Sequence, residues 1–277
     1  IVAGFRTAVT KSKRGGFRFF RPDDLAVQLI QGLMKTLPTL PAARVDDVIV
    51  GNAVPEAEQG LQFGRMISAR ALGVDVAGIT INRYCASGLE SIAMATAKIR
   101  SGMADCIIAG GTESMSLVPT AGWKTVPSYE IANNDPDYYL SMGLTAEAVA
   151  KEYSISRADQ DAFAYASHQK AMTAQQQNYF KDGILPITVD EVYVNEKGKK
   201  ATRSYVVDSD DGVRADTSIE ALAKLKPAFA VDGTVTAGNS SQTSDGAAFV
   251  VVMSEKMMLE LGLVPIGRLV NVAVAGV

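Results

Sequence analysis

Reactive chemistry in this chain centres on Cys85, within Ile79-Thr80-Ile81-Asn82-Arg83-Tyr84-Cys85-Ala86-Ser87-Gly88-Leu89-Glu90-Ser91. The stretch reads as a short strand over 79–82, a tight corner, and a helix from about Cys85 to Arg100. A thiol on the first turn of a helix meets unpaired backbone N–H groups and the positive end of the helix dipole. Both favour the thiolate, the form that attacks a carbonyl. Ala86, Ser87 and Gly88 are small enough to leave room for a substrate. The N–H of Cys85 itself is suited to hold an oxyanion. On these local features an activated nucleophile and a buried, inert thiol stand level.

The other candidate groups are weaker. Cys106, in Asp105-Cys106-Ile107-Ile108, fills a core position where Val would serve as well. His168 lies on a long helix, far in sequence from any glycine loop, and reads as a packing or surface histidine. It is the single histidine, so a mechanism that needs two is excluded for this chain. The two cysteines lack metal-ligand spacing. Gly110-Gly111-Thr112-Glu113-Ser114-Met115-Ser116 is either a strand-end turn or a ligand loop. Asp232 to Ala248 is dense in Gly, Ser, Thr and Asn, but has no P-loop lysine and no dinucleotide spacing. It is a polar turn before a buried strand or a binding loop. Met142-Gly143-Leu144-Thr145-Ala146-Glu147 is a helix start or the lining of a pocket.

The elements that must position these groups alternate. Strands are expected over 1–4, 45–52, 79–82 and 105–111, with helices after Arg21-Pro22-Asp23-Asp24, over 63–72 and over 85–100. Pro and acids suit a helix N-terminus, and Gly73 suits a C-terminus. Such a β/α order predicts an α/β layered domain around a mixed, mainly parallel sheet with helices on both faces. The small residues on every side of the 85–100 helix predict that it is packed all round. Residues 117–243 read as an inserted α+β loop domain. It contains helices over 145–152, 156–179 and 218–225, and strands over 187–194 and 201–207. Ser156-Arg157-Ala158-Asp159 is a capping box. The core is then 1–116 plus 244–262, and 263–277 reads as the first strand of a further domain.

Composition limits the function classes. The chain has 277 residues, 47% hydrophobic and 21% charged, with a net charge of −3. No basic patch points to nucleic acid and no apolar run is long enough to span a bilayer. Two cysteines make no disulfide framework, which fits a reducing compartment, cytoplasmic or an organellar matrix. The chain starts without Met and shows no signal peptide, so residues preceding Ile1 are expected.

Taken together, the segments Asn82 to Ser91, Ala109 to Ser116, Met142 to Glu147, Leu225-Lys226-Pro227-Ala228-Phe229 and Thr234 to Ala248 resemble the thiolases in order and spacing. These enzymes cleave a 3-oxoacyl-CoA with coenzyme A, or run the reverse condensation. The wording of Thr236 to Gly246 is closer to degradative 3-ketoacyl-CoA thiolases of fatty-acid β-oxidation than to biosynthetic acetoacetyl-CoA thiolases. The resemblance implies that Cys85 is the nucleophile carrying an acyl thioester. It implies that Arg214 meets the adenine end of coenzyme A, that Ala228, Phe229, Ala237 and Ser241 line the pantetheine channel, and that Met142 borders the acyl pocket. It implies coenzyme A as substrate with no cofactor or metal, and a homodimer or homotetramer, with a β-oxidation complex as a further partner. Ser141 stands where some members have a histidine. The family's Gly-His-Pro and Cys-x-Gly motifs, which belong to a second half, do not occur in this chain. The expectation is therefore an N-terminal half, inactive or nearly so alone. Two other readings remain: a biosynthetic acetyl-CoA C-acetyltransferase, and a non-catalytic acyl-CoA-binding or oligomerisation module.

Overall fold

A computed structural model describes residues 1–276. The chain divides into two compact units, one of residues 1–123, 182–211 and 243–277, the other of 124–181 and 212–242.

The first unit is built on a six-stranded sheet. Its elements are β1 (Ala3–Arg6), β2 (Thr10–Lys11), α1 (Pro22–Lys35), β3 (Asp47–Gly51), α2 (Phe63–Leu72), β4 (Ala77–Ile81), α3 (Ser87–Arg100) and β5 (Cys106–Ser114). The second unit contributes α4 (Tyr129–Asn134), α5 (Met142–Glu152) and α6 (Arg157–Gln176). The hairpin β6 (Ile187–Val194) and β7 (Lys200–Val207) returns to the first unit, α7 (Ile219–Ala223) lies in the second, and β8 (Ser244–Met253) and α8 (Glu255–Glu260) complete the first. The strand order is β1-β8-β5-β3-β4, with β2 also on β8. β3 is parallel to β4 and β5, whereas β8 is antiparallel to β1, β2 and β5. Only β8 runs against the others, so the sheet is mixed, as expected: five of six strands point the same way, but the three ladders that β8 makes are antiparallel and two are parallel.

Period-two alternation divides the core between the faces. Val48, Val50, Ile108, Phe249 and Val251 pack with Leu25, Leu29, Leu33 and Ile67 of α1 and α2. Ile49, Ile107, Ala109 and Val252 pack with Ala95 of α3. Full burial of each Leu or Ile side chain is worth about 1.5–3 kcal/mol, so the α1 and α2 layer is held firmly to the sheet.

Three expectations change. The hairpin over 187–207 packs with the core rather than with the insertion, because Ile187 and Val189 join the main hydrophobic cluster and the Tyr205 hydroxyl donates to the Gly16 carbonyl at 2.7 Å. Residues 264–276 form no strand; their backbone-to-backbone bonds go to Ile1, ahead of β1, with Ile1 N donating to Gly267 O at 3.0 Å and Ile266 N and Gly267 N donating to Ile1 O at 2.9 and 3.4 Å. A run of apolar residues becomes a strand only where a ladder receives it. Val277 lies outside the described residues. Third, α3 buries one stripe, Ser87, Ser91 and Ala95, and its Leu89 is 57% exposed. Small side chains allow close packing but do not supply a neighbour. Among the described residues, no helix is long and apolar enough to cross a membrane.

Candidate functional site

Cys85 follows the C-terminal end of β4, the edge of a parallel sheet where α/β proteins place ligands. It is exposed, which removes the reading of a buried, inert thiol. It does not sit on the first helical turn as expected. The helix begins at Ser87 with Ala86 as its N-cap residue, so Cys85 stands one position earlier, in the corner itself.

The corner is shaped by side chains of its own motif. Tyr84 has φ 46°, a left-handed conformation that costs a bulky residue about 1–2 kcal/mol and persists only where its surroundings hold it. Asn82 Oδ1 accepts from Tyr84 N at 2.8 Å. Ser87 Oγ accepts from Arg83 N at 2.8 Å and donates to Tyr84 O at 2.6 Å. Ala86 N and Ser87 N donate to Arg83 O and Tyr84 O. These turn bonds employ the N–H groups of Arg83, Tyr84, Ala86 and Ser87 and leave that of Cys85 out. Arg83 is further tied to Glu90 at 2.9 Å. Gly51, at the end of β3, sets how deeply α3 seats: a Cβ there would lie 2.7 Å from the Ser87 carbonyl carbon.

Sequence reasoning missed the layer beneath. Asn82 Nδ2 donates to Ala53 O at 3.0 Å, and Ala53 N donates to Glu113 Oε2 at 2.7 Å. Gln59 Nε2 donates to Glu113 Oε1 at 2.7 Å, and Gln59 Oε1 accepts from Ser114 N at 2.7 Å. A hydrogen-bonded relay thus joins the Cys85 corner to a half-buried carboxylate. Burial pushes Glu113 above the usual carboxylate range, and the Ala53 and Gln59 donors offset part of that rise. The segment 110–116 is mostly strand, since β5 continues to Ser114, and only Met115 and Ser116 form the turn at its end. Its serines serve the sheet, with Ser116 N donating to Asp245 Oδ1 at 2.9 Å and Ser114 Oγ to the same oxygen at 3.3 Å. The signal for Glu113 was an acid two residues past a glycine pair, too common a pattern to single out.

Cys106 is fully buried on β5, and its thiol is pushed up to about 12, first by burial and then by the Asp46 carboxylate. That agrees with a core filler. Among the described residues, no group of His, Cys, Asp and Glu could hold a metal ion.

The other predicted site residues lie in the second unit. Met142 opens α5 and is 70% exposed. Beside it, Gly143 lets the Phe229 ring lie against the helix: a Cβ at Gly143 would come within 2.1 Å of Phe229 Cδ1. Ala228 N donates to Val235 O at 2.9 Å, and Pro227 bridges Thr236. The unit therefore brings Met142, Ala228, Phe229 and Ala237 into one neighbourhood. A surface groove of about 440 Å³ runs along Lys226–Asp232 there. Ser241 is exposed at the end of this loop, with its Oγ 3.3 Å from Gln242 O.

Side-chain acceptors hold that loop. Glu147 accepts from Thr234 N, Thr234 Oγ1 and Val235 N at 2.8–3.1 Å. Burial alone would raise the Glu147 carboxyl; these donors bring it below its ordinary value. Asp161, 2% exposed, pairs with Arg157 at 2.8 Å and accepts from Asn239 Nδ2 at 3.0 Å. Asn239 Oδ1 in turn accepts from Thr236 N at 2.7 Å. Arg214 is exposed on the segment before α7, and its backbone N–H donates to His168 Nδ1 at 3.2 Å. His168 thus has a partner that its position in sequence did not suggest.

Residues 1–256 match the family model described as thiolase, N-terminal domain. The chain belongs to the thiolase family. This thiolase chain is 49% identical to a 3-ketoacyl-CoA thiolase of Bacillus subtilis over its whole length, covering 71% of that protein. It is 38% identical to the human peroxisomal 3-ketoacyl-CoA thiolase and to an Arabidopsis thaliana peroxisomal one, covering 64% and 62% of them. It therefore spans under two thirds of those two relatives. A solved structure, the Bacillus anthracis acetyl-CoA acetyltransferase, superposes with a TM-score of 0.81 at 34% identity, covering 96% of this chain and 67% of that one. The layered α/β architecture of a thiolase half is thus shared by sequence and by shape.

Proposed function

We propose that this chain is the nucleophile-bearing part of a degradative 3-ketoacyl-CoA thiolase, with 3-oxoacyl-CoA and coenzyme A as substrates in fatty-acid β-oxidation. The observation that carries the reading is the exposed thiol of Cys85 at the end of a parallel strand, on a corner held in left-handed backbone geometry.

The reaction is ping-pong. The Cys85 thiolate attacks the 3-oxo carbonyl carbon, and its sulfur takes the acyl group as the Cα–Cβ bond breaks. The electron pair of that bond goes to the departing acetyl-CoA enolate, which an acid protonates to acetyl-CoA. The thiolate of a second coenzyme A then attacks the thioester and releases a shortened acyl-CoA and the Cys85 thiolate. In this reading the Cys85 N–H stabilises the developing oxyanion. Arg214, Ala228, Phe229, Ala237 and Ser241 hold coenzyme A, and Met142 borders the acyl group. No cofactor takes part. Because Gly-His-Pro and Cys-x-Gly are absent from these 277 residues, the chain by itself is inactive or nearly so. The whole protein works as a homodimer or homotetramer, in the cytoplasm or an organellar matrix.

The test is alkylation of the purified chain by iodoacetamide with peptide mapping, with and without acetyl-CoA. Modification of Cys85 that acetyl-CoA slows, with Cys106 unmodified, is the expected result. Cys85 alkylation indifferent to acetyl-CoA sinks the reading. Thiolysis at ordinary thiolase rates by the mass-verified chain would overturn its inactivity. Profiling of 3-oxoacyl-CoA chain length with the full-length protein separates degradative from biosynthetic action. The biosynthetic alternative draws on the likeness to the acetyl-CoA acetyltransferase structure.

A further inference from the structure

We propose that His168 is a positioning residue for Arg214 and, through it, sets the affinity for the nucleotide end of coenzyme A. This rests on the reading of Arg214 given above. The lone histidine faces inward on α6, four residues after buried Ala164, and its Nδ1 accepts the Arg214 backbone N–H at 3.2 Å. In this bond the ring nitrogen offers its lone pair to the main-chain donor. The bond fixes the backbone of the very residue whose side chain is to meet the ligand.

The surrounding anchors show why this one matters. The segment enters at Gly212, with φ 106°. It leaves at Ser218, whose Oγ accepts from Ala221 N at 3.1 Å to cap α7. The α7 end is clamped to the start of α6, where Arg157 Nη2 donates to Leu222 O at 2.6 Å and to Leu225 O at 3.1 Å. His168 lies about three turns further along α6 and grips the other end. Residues 212–218 belong to no helix or strand. The other bond given by their backbone is a long one, Thr217 N to Arg214 O at 3.5 Å. Without His168, the Arg214 side chain keeps its charge but loses its fixed origin. Ordering it then falls to the ligand.

The experiment is calorimetric titration of the full chain with coenzyme A and with pantetheine, which lacks the nucleotide. The proteins are wild type, His168→Ala, His168→Asn and Arg214→Ala, each with a melting temperature. His168→Ala is expected to weaken coenzyme A roughly tenfold, the scale of ordering one backbone residue. Pantetheine binding and the melting temperature should hardly move. His168→Asn, whose Oδ1 replaces Nδ1 as acceptor, should restore most of the affinity. If Arg214→Ala weakens coenzyme A while His168→Ala does not, the proposal is overturned and the Arg214 reading stands. If Arg214→Ala has no effect, the Arg214 reading fails and the proposal with it. Equal losses toward both ligands, or no rescue by Asn, overturn it as general loosening. A wild-type chain that binds neither ligand overturns the coenzyme A reading itself.

Discussion

Around Cys85 the holding is local. Gly51 packs on Ser87, and the corner is closed by side-chain-to-backbone bonds of Asn82 and Ser87 among residues at most four positions apart in sequence. In the second unit, side chains hold loops that are distant in sequence. Glu147, Asp161, Asn239 and His168 each reach a loop from a distant element or from within it. The difference suits the division of labour proposed for them. A nucleophile must be placed to within about 0.5 Å, which a short, locally bonded corner packed on Gly51 provides. A long, flexible ligand is gripped at several points by a surface that can adjust. The contrast also says where each region fails: the corner by steric conflict that nothing can relieve, the loop surface by loss of single acceptors.

Gly51→Ala is the sharpest way to break the comparison. Its new methyl would lie 2.7 Å from the Ser87 carbonyl carbon and 2.8 Å from the Ser87 Cβ, and neither can rotate away. A loss of about 3 kcal/mol is expected, read by urea unfolding, together with altered Cys85 alkylation. A stable variant with wild-type labelling would show that the corner tolerates a shift of α3.

Cys106 probes the same rigid unit by pH. Its folded-state value, about 12, lies above the ordinary thiol value of 9.0. A raised value means that the folded state holds the proton more tightly. The associated stability is therefore present below pH 9 and lost as pH rises toward 12. At about pH 10.5 the wild type should have lost roughly 2 kcal/mol that Cys106→Val retains. Alkaline unfolding curves of the two proteins measure the difference; parallel curves would mean that burial at β5 is relieved by opening.

Gly143→Ala makes the corresponding change in the second unit, where the expected effect is smaller. The methyl meets the Phe229 ring, and Phe229 is 43% exposed, so the ring can turn outward. A cost near 1 kcal/mol in stability is expected, with coenzyme A affinity falling severalfold. A loss as large as that of Gly51→Ala would erase the distinction between the two regions.

Much of this was legible in residue order. The strand and helix positions of the core follow from apolar periodicity and from Pro and Gly punctuation; α2 over 63–72 and β6 over 187–194 fall where the pattern puts them. The motif around Cys85 specifies its own corner, because Asn82 and Ser87 are local partners. Interactions between distant segments were not legible. Nothing local pairs Glu113 with Ala53 and Gln59, or His168 with Arg214. Sequence fixes the chemical type of each side chain and its nearest neighbours through short-range sterics and hydrogen bonding. Tertiary structure decided that Cys85 is exposed, that the 187–207 hairpin packs with the core, and that residues 264–276 form no strand. Burial and pairing are properties of whatever the rest of the chain brings alongside.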